Sequence, residues 1–264
     1  MKLIITDLDN TLLRSDKSLS DYTVEVLRKC REKGHRIAFA TARAENAMVR
    51  FVQAIEPDSI VSNGGATVRA EGTVIYQNWM SSAEVATILQ MCRAYTQDKG
   101  LITVEAADGY YCNFIPRDPD RRAAAIHTNF DGFKPPSYKI TAELEKEEWG
   151  EEIVQACPGC TVIGFSGEIW RRFAAGHSDK KTALQILVDH LGISTEDVIA
   201  FGDDRNDLGM LTLAGTAVAV ANAIDEVKAV ADVLTDSNDR DGVARFLEKH
   251  LLFNDTTEEK NEPF

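Results

Sequence analysis

Residues 2–11, KLIITDLDNT, join a short apolar run to a pair of aspartates. The apolar part, Lys2 to Ile5, has the length and composition of a buried strand, and Asp7 and Asp9 follow it directly, which predicts a functional loop at the end of that strand. Because the two aspartates are two positions apart, an extended segment turns both carboxylates to the same side. The stretch therefore predicts a strand that brings two carboxylates to one place.

Outward from this stretch, strand and helix patterns alternate. Apolar spacing and end signals predict helices over 20–33 and 46–55 and strands over 36–40 and 59–62. The same alternation returns late in the chain, with a helix capped by Ser178 and strands over 198–201 and 216–220. Strands that alternate with helices predict a parallel sheet with helices on its faces, which is a Rossmann-like α/β core.

The middle of the chain has a different pattern. Turn signals such as Asp108-Gly109 lie between short strand-like runs, and helices are predicted over 82–99, 118–130 and 147–157. Hairpins mixed with helices are typical of an α+β unit with an antiparallel sheet. In its last predicted strand, alternation turns Trp170 and Arg172 to one face and Arg171 to the other.

These patterns predict a discontinuous organisation. We expect a catalytic core formed by residues 1–81 and 176–252, an inserted α/β cap over 82–175, and an acidic, disordered tail over 253–264.

Charge and composition exclude several classes of protein. The chain has 264 residues, with 42 acidic against 29 basic side chains and a net charge of −13. Such a field repels phosphate backbones and anionic membranes, so we expect neither a nucleic acid nor a membrane as partner. No secretory or membrane-spanning segment is found, which predicts a cytoplasmic protein. The five cysteines are expected to be free thiols, and Cys157 and Cys160 are interpreted as thiols that flank a turn.

Three predicted strands end in polar clusters. Since parallel sheets bind ligands at the carboxyl ends of their strands, these clusters are expected to meet at one edge, together with Lys180 from the start of a helix. The clusters are Asp7-Leu-Asp9-Asn-Thr11, Thr41-Ala-Arg43 and Gly202-Asp203-Asp204-Arg205-Asn206-Asp207. Carboxylates in one place repel each other, and a hard divalent cation with oxygen ligands, Mg²⁺, relieves that repulsion.

Phosphoryl transfer is the chemistry that these residue types favour. An aspartate can attack phosphorus and carry the phosphoryl group, and a second carboxylate can protonate the leaving oxygen and then activate water. Lys180 and Thr41 can neutralise and hydrogen-bond the phosphoryl oxygens.

The four motifs in order resemble those of the haloacid dehalogenase superfamily, and the paired aspartates resemble its phosphatase branch. Asn63-Gly64-Gly65 and the insert between the second and third motifs resemble the Cof-type sugar-phosphatase subfamily. The resemblance runs from Met1 to about Leu252. The family usually has Gly where this chain has Ala42, and Ser-Lys-Gly where this chain has Asp179-Lys180-Lys181.

The resemblance implies a role for each matching position. Asp7 is the expected nucleophile, Asp9 the general acid and base, and Mg²⁺ is expected on Asp7, Asp203 and the main-chain carbonyl of Asp9. Thr41, Lys180, Arg43 and Asn206 are expected to contact the phosphoryl group or the substrate. Thr11, Asn63, Gly64 and Asp207 are expected to support the site. Alternatively, Asp207 only caps the following helix, Asn63 and Gly64 form a plain turn, and Lys181 is the lysine that enters the site.

The leading hypothesis is a Mg²⁺-dependent phosphatase that hydrolyses a small phosphorylated metabolite, either a sugar phosphate or a phosphorylated cofactor, through an aspartyl-phosphate. A phosphotransferase such as a phosphomutase uses the same intermediate but needs a second phosphate-binding patch on the cap. A phospho-accepting signalling module is a third possibility, although receiver-type modules are shorter and lack the insert.

Overall fold

The computed structural model describes residues 1–117, 119–164 and 167–253, which form two β-sheets and their surrounding helices. The strands of the described residues are β1 Leu3–Thr6, β2 Arg36–Ala40, β3 Ser59–Ser62, β4 Thr67–Ala70, β5 Thr73–Gln77, β6 Ile102–Ala106, β7 Gly109–Cys112, β8 Ala125–His127, β9 Ser137–Glu143, β10 Cys160–Gly164, β11 Trp170–Ala175, β12 Val198–Gly202, β13 Thr216–Val220 and β14 Val233–Thr235. The α-helices are α1 Asp21–Glu32, α2 Val49–Ile55, α3 Ser82–Thr96, α4 Pro119–Ala124, α5 Glu147–Ala156, α6 Lys180–Leu191, α7 Leu208–Leu213, α8 Asp225–Val230 and α9 Gly242–Leu247.

The first sheet has eight strands in the order β14-β13-β12-β1-β2-β3-β4-β5. All neighbours from β14 to β3 are parallel, and the β4–β5 hairpin adds two antiparallel strands at one edge. The chain extends this sheet through β2 and β3 on one side of β1 and through β12, β13 and β14 on the other. The strand order therefore reverses at β1 and β12, which is where open α/β sheets bind their ligands.

Burial explains why β1 is the centre of this sheet. Its residues Leu3, Ile4, Ile5 and Thr6 are all fully buried, as expected for a parallel strand that is covered on both faces. The α/β class predicted from the sequence is confirmed.

Helix ends follow local capping chemistry, with one difference from the sequence prediction. Ser20 caps α1 by accepting a hydrogen bond from the Thr23 amide, as expected. The cap of α6 is Asp179, whose carboxylate accepts from the Thr182 amide at 2.9 Å, and not the predicted Ser178. Asp179 is closer in sequence to the first helical turn, so its carboxylate reaches the free amides there.

The second sheet has six strands in the order β10-β11-β9-β6-β7-β8 and is mostly antiparallel. One face is apolar and packs against α3 and α5, through residues such as Val104, Ile140 and Phe173. Alternate residues of the same strands, which are polar, point to the opposite face, toward the first sheet. The α+β architecture predicted for the insert is confirmed.

One predicted helix in this region was wrong in its extent. The sequence predicted a helix over 118–130, whereas α4 ends at Ala124 and residues Ala125–His127 form β8, which pairs in parallel with β7. The free edge of β7 offers backbone partners, and this tertiary pairing overrides the local helical pattern. Asp118 and the predicted tail from residue 254 onward lie outside the described residues, while Phe253 is described and exposed.

All five cysteines are free and buried. Burial raises the pKa of Cys160 to about 12, which disfavours its thiolate, and Cys157 beside it has a raised pKa for the same reason. Within the described residues, no helix is both long enough and apolar enough to cross a membrane.

Candidate active site

The carboxyl ends of four neighbouring strands meet at one edge of the first sheet. Asp7 directly follows β1, Thr41 follows β2, Asn63 follows β3 and Asp203 follows β12. A cavity of about 900 Å³ lies between this edge and the polar face of the second sheet, and Asp7, Asp9 and Asp203 line it. The sequence clusters that were expected to converge are therefore brought together.

Lys180 joins two of these carboxylates behind the cavity. Its Nζ lies 2.7 Å from Asp7 Oδ1 and 2.5 Å from Asp207 Oδ1, and its side chain is fully buried. Burial alone lowers the pKa of a lysine, but the charges of Asp207 and Asp7 outweigh it and raise the pKa of Lys180 above its usual value. Lys180 is thus a permanent cation in the site, whereas Lys181 is exposed.

Asp207 stabilises the loop after β12. While Oδ1 accepts from Lys180, Oδ2 accepts from the main-chain amides of Asp203 and Asp204 at 3.0 and 3.1 Å. Thr11, which is buried, donates its hydroxyl to Asp203 Oδ1 at 2.7 Å. Both contacts fix where the Asp203 carboxylate lies.

The charges of this cluster suit a divalent cation. Oxygens of Asp7, Asp203 and Asp207 lie within 4.8 Å of one another, and Lys180 neutralises one of the three negative charges. Burial raises the pKa of Asp7 well above its usual value, to which the neighbouring carboxylates add, and burial together with Asp207 raises the pKa of Asp203 to about 7. Oxygen donors with uncompensated negative charge are what Mg²⁺ binds. Because Asp207 has both oxygens engaged, Asp7 and Asp203 are the better ligands.

Asp9 lies at the cavity wall and is held by cations. Arg43 donates to both of its carboxylate oxygens, at 2.7 and 2.8 Å, and Lys17 Nζ lies 3.0 Å from Oδ1. Burial by itself raises the pKa of Asp9, but the hydrogen bonds and charges of Arg43 and Lys17 hold it well below its usual value. Asp9 is therefore ionised in this arrangement. Arg43 also stacks over Phe51 and donates to the carbonyl of Ala47, so its contacts are with the protein.

The remaining predicted residues surround this cluster. Thr41 is fully buried, and its hydroxyl accepts from the Arg43 amide at 3.1 Å. Asn206 is half-buried and lines the cavity. Asn63 and Gly64 form a turn with positive φ, in which the Gly64 amide donates to the Thr41 carbonyl. This turn therefore supports the backbone at Thr41.

Position 65 requires glycine because of its backbone conformation and a close backbone neighbour. Its φ is +108°, and a Cβ atom placed on it would lie 2.3 Å from the backbone of Asp179, the cap of α6. The turn thus lets the start of α6 approach the sheet, which brings Lys180 to Asp7.

The second sheet forms the other wall of the cavity. We call its cavity-lining side chains the ceiling, and they are Thr103, Glu105, Tyr110, Lys139, Thr141, Glu143 and Trp170. Glu105 pairs across strands with both Tyr110 and Lys139. The Lys139 Nζ lies 2.7 Å from Glu105 Oε1 and donates to the Ala42 carbonyl at 2.5 Å. The ceiling is thereby tied to the loop between Thr41 and Arg43.

Arg172 makes a second link between the sheets. It is fully buried, and its guanidinium donates to the carbonyls of Gly64 and Ser178 at 3.3 and 2.5 Å. Alternation placed Trp170 and Arg172 on one face, and both do lie toward the first sheet, while Arg171 lies against Gly150 and Gly164. Glu105, Tyr110 and Lys139 were not predicted from the sequence. For Glu105 and Lys139, the available signal was a polar residue at every second position of β6 and β9.

The chain is similar to known proteins over most of its length. Residues 4–247 match the profile of the haloacid dehalogenase-like hydrolases. YitU of Bacillus subtilis, a 5-amino-6-(5-phospho-D-ribitylamino)uracil phosphatase, is 27% identical over 94% of this chain and 97% of its own. YbhA of Escherichia coli, a pyridoxal phosphate phosphatase, is 29% identical over 95% and 99% of the two chains. The crystal structure of a haloacid dehalogenase-like hydrolase from Bacteroides thetaiotaomicron superposes with a TM-score of 0.80 and 27% identity, and the alignment covers 94% of this chain and 98% of that one.

Proposed function

We propose, from the premise that this chain is a phosphatase belonging to the haloacid dehalogenase-like hydrolase family, that it hydrolyses a small phosphorylated metabolite with Asp7 as nucleophile. The observation that carries the proposal is the contact of Asp7 with the buried Lys180, beside Asp203, at the floor of a cavity of about 900 Å³. A cavity of this volume accommodates a small metabolite.

The chemistry divides into two displacements. In the first, the Asp7 carboxylate attacks phosphorus, and the bond from phosphorus to the leaving oxygen breaks as that oxygen takes a proton from Asp9. In the second, water gives a proton to Asp9 and attacks the same phosphorus, which releases inorganic phosphate and restores Asp7. Lys180 keeps the Asp7 carboxylate in position throughout, and its charge offsets that of the phosphoryl oxygens.

Mg²⁺ fits the donor set described above. Asp7, Asp203 and the main-chain carbonyl of Asp9 would hold it, with Thr11 and Asp207 fixing the position of Asp203. Bound there, the ion supplies positive charge that offsets the phosphoryl oxygens and the carboxylates.

The contact with Arg43 bears on the protonation state of Asp9. The first displacement needs Asp9 protonated, whereas its pairing with Arg43 and Lys17 favours the ionised form. Asp9 therefore exchanges this pairing for the leaving oxygen when substrate enters. Arg43 is thus a positioning residue for Asp9, and in this proposal Thr41 and Asn206 would hydrogen-bond the phosphoryl group.

Residues 82–175 act as a cap over a core of residues 1–81 and 176–252 in this proposal. The links of Lys139 to Ala42 and of Arg172 to Gly64 hold the two parts together in the present arrangement. Closure of the cap over a bound substrate would exclude bulk water from the reaction.

The test is Mg²⁺-dependent release of phosphate from phenyl phosphate, with and without excess chelator. Asp7→Asn should lower kcat by about 10³-fold or more, because the amide is not a nucleophile. The matched control is Asp225→Asn, since Asp225 is fully exposed at the start of α8. In Asp9→Ala the second displacement is slowed, so intact-protein mass spectrometry should detect a phosphoryl group on the chain. Wild-type turnover in Asp7→Asn would refute the assignment.

A further inference from the structure

Two buried polar groups of the ceiling have no hydrogen-bond partner among the described residues. They are Glu105 Oε2 and the Tyr110 hydroxyl, and their side chains are only 6% and 5% exposed. A buried polar atom without a partner costs about 1–3 kcal/mol, so each one calls for a physical explanation. Here two occur on directly paired residues of neighbouring strands.

Both residues line the main cavity, on the wall opposite the carboxylates. Glu105 is held rigidly, because its other oxygen, Oε1, is paired with Lys139, which is itself tied to the Ala42 carbonyl. Burial raises the pKa of Tyr110 to about 12, although the nearby Arg121 acts in the opposite direction, so its hydroxyl stays protonated and can both donate and accept. The pair is therefore preorganised and not a flexible surface group.

We propose that Glu105 and Tyr110 form the subsite that recognises the leaving group, and that it selects leaving groups bearing hydroxyl or amino hydrogen-bond donors. Glu105 Oε2 offers a carboxylate acceptor to such a donor, and the Tyr110 hydroxyl offers a second contact beside it. A hydrogen bond to a charged acceptor contributes about 1.5–3 kcal/mol, which corresponds to about 10- to 100-fold in kcat/KM.

This inference rests on the proposed function, and the test separates the two. The measured quantity is the ratio of kcat/KM for donor-bearing substrates, namely ribose 5-phosphate, glucose 6-phosphate and pyridoxamine 5′-phosphate, to kcat/KM for phenyl phosphate, whose leaving group has no donor on its ring. In Tyr110→Phe and in Glu105→Gln, we expect the ratio for the best donor-bearing substrate to fall about 10-fold. Tyr110→Phe removes the hydroxyl and keeps the ring, so it decides the test if Glu105→Gln lowers the yield of folded protein.

The matched control is Tyr111→Phe. Tyr111 is the next residue of β7, packs against Phe133 on the other face of the sheet and bonds to Asp108, so the ratio should remain as in the wild type. An unchanged ratio in Tyr110→Phe, or an equal fall in Tyr111→Phe, would overturn the inference. The two oxygens would then face the adjoining cavity of about 370 Å³, which both residues also line. Turnover of phenyl phosphate alone would also overturn it. Absence of turnover with every substrate would instead refute the proposed function, and this inference with it.

Discussion

The two walls of the cavity satisfy their polar groups in opposite ways. At the carboxylate wall, Lys180 binds two aspartates, and Asp207 accepts from one lysine and two amides. At the ceiling, Glu105 and Tyr110 each retain a buried oxygen with no partner among the described residues. The difference teaches that the protein itself holds the aspartates of the first wall in position, as chemistry common to all substrates requires, whereas the ceiling leaves contacts for the substrate.

The largest effect should come from removing the cation of the carboxylate wall. Lys180→Met leaves Asp7 and Asp207 buried without their shared partner, and breaking a buried ion pair on one side costs about 3–5 kcal/mol. Denaturant unfolding should show this loss. Lys181→Met, at the exposed neighbouring position, should stay within about 0.5 kcal/mol of the wild type. Equal losses in the two variants would mean that the wrong lysine has been assigned to the site.

A smaller effect is expected where the two walls meet, at the turn after β3. Gly65→Ala places a Cβ atom 2.3 Å from the Asp179 backbone, whereas Gly34→Ala, at a similar positive φ, meets nothing within 4 Å. Both variants should lose about 1 kcal/mol from the left-handed backbone. Gly65→Ala should lose about 1–3 kcal/mol more because neither backbone segment can move freely. Thermal unfolding of the pair gives the comparison, and identical melting temperatures would show that α6 does not depend on close approach at this turn.

The contrast between the walls also explains what could be predicted from the sequence. The carboxylate wall was predictable because Asp7, Thr41 and Asp203 each follow a buried strand directly, and a parallel sheet brings such ends together. The ceiling was not, because polar residues at alternate strand positions have the same pattern whether they face solvent or a cavity. Only the tertiary arrangement shows that Glu105 and Lys139 are buried.

The Arg43–Asp9 pair and strand β8 escaped prediction for a related reason. Arg43 was expected near the substrate because it matches a family motif, and its side chain does line the cavity, but it also pairs with Asp9, which was not predicted. Residues Ala125–His127 form a strand only because β7 has a free edge. Long-range pairing decides both features, and neither has a local signal.

The smallest effect should come from the apolar part of the ceiling, and it should be specific to the substrate. Trp170 lines the cavity beside Phe114, with ring centroids 6.1 Å apart, and together they offer an aromatic surface to a leaving group. Trp170→Leu should lower the ratio of kcat/KM for phenyl phosphate to that for propyl phosphate by about five-fold, since an aromatic contact contributes about 1 kcal/mol. Trp79→Leu is the matched control, because Trp79 is 46% exposed and lies beside Tyr138, away from the cavity. If Trp170→Leu lowered kcat for both phosphates equally, the ceiling would contribute to the phosphoryl transfer itself. The proposed separation, in which the carboxylate wall performs the reaction and the ceiling recognises the leaving group, would then be wrong.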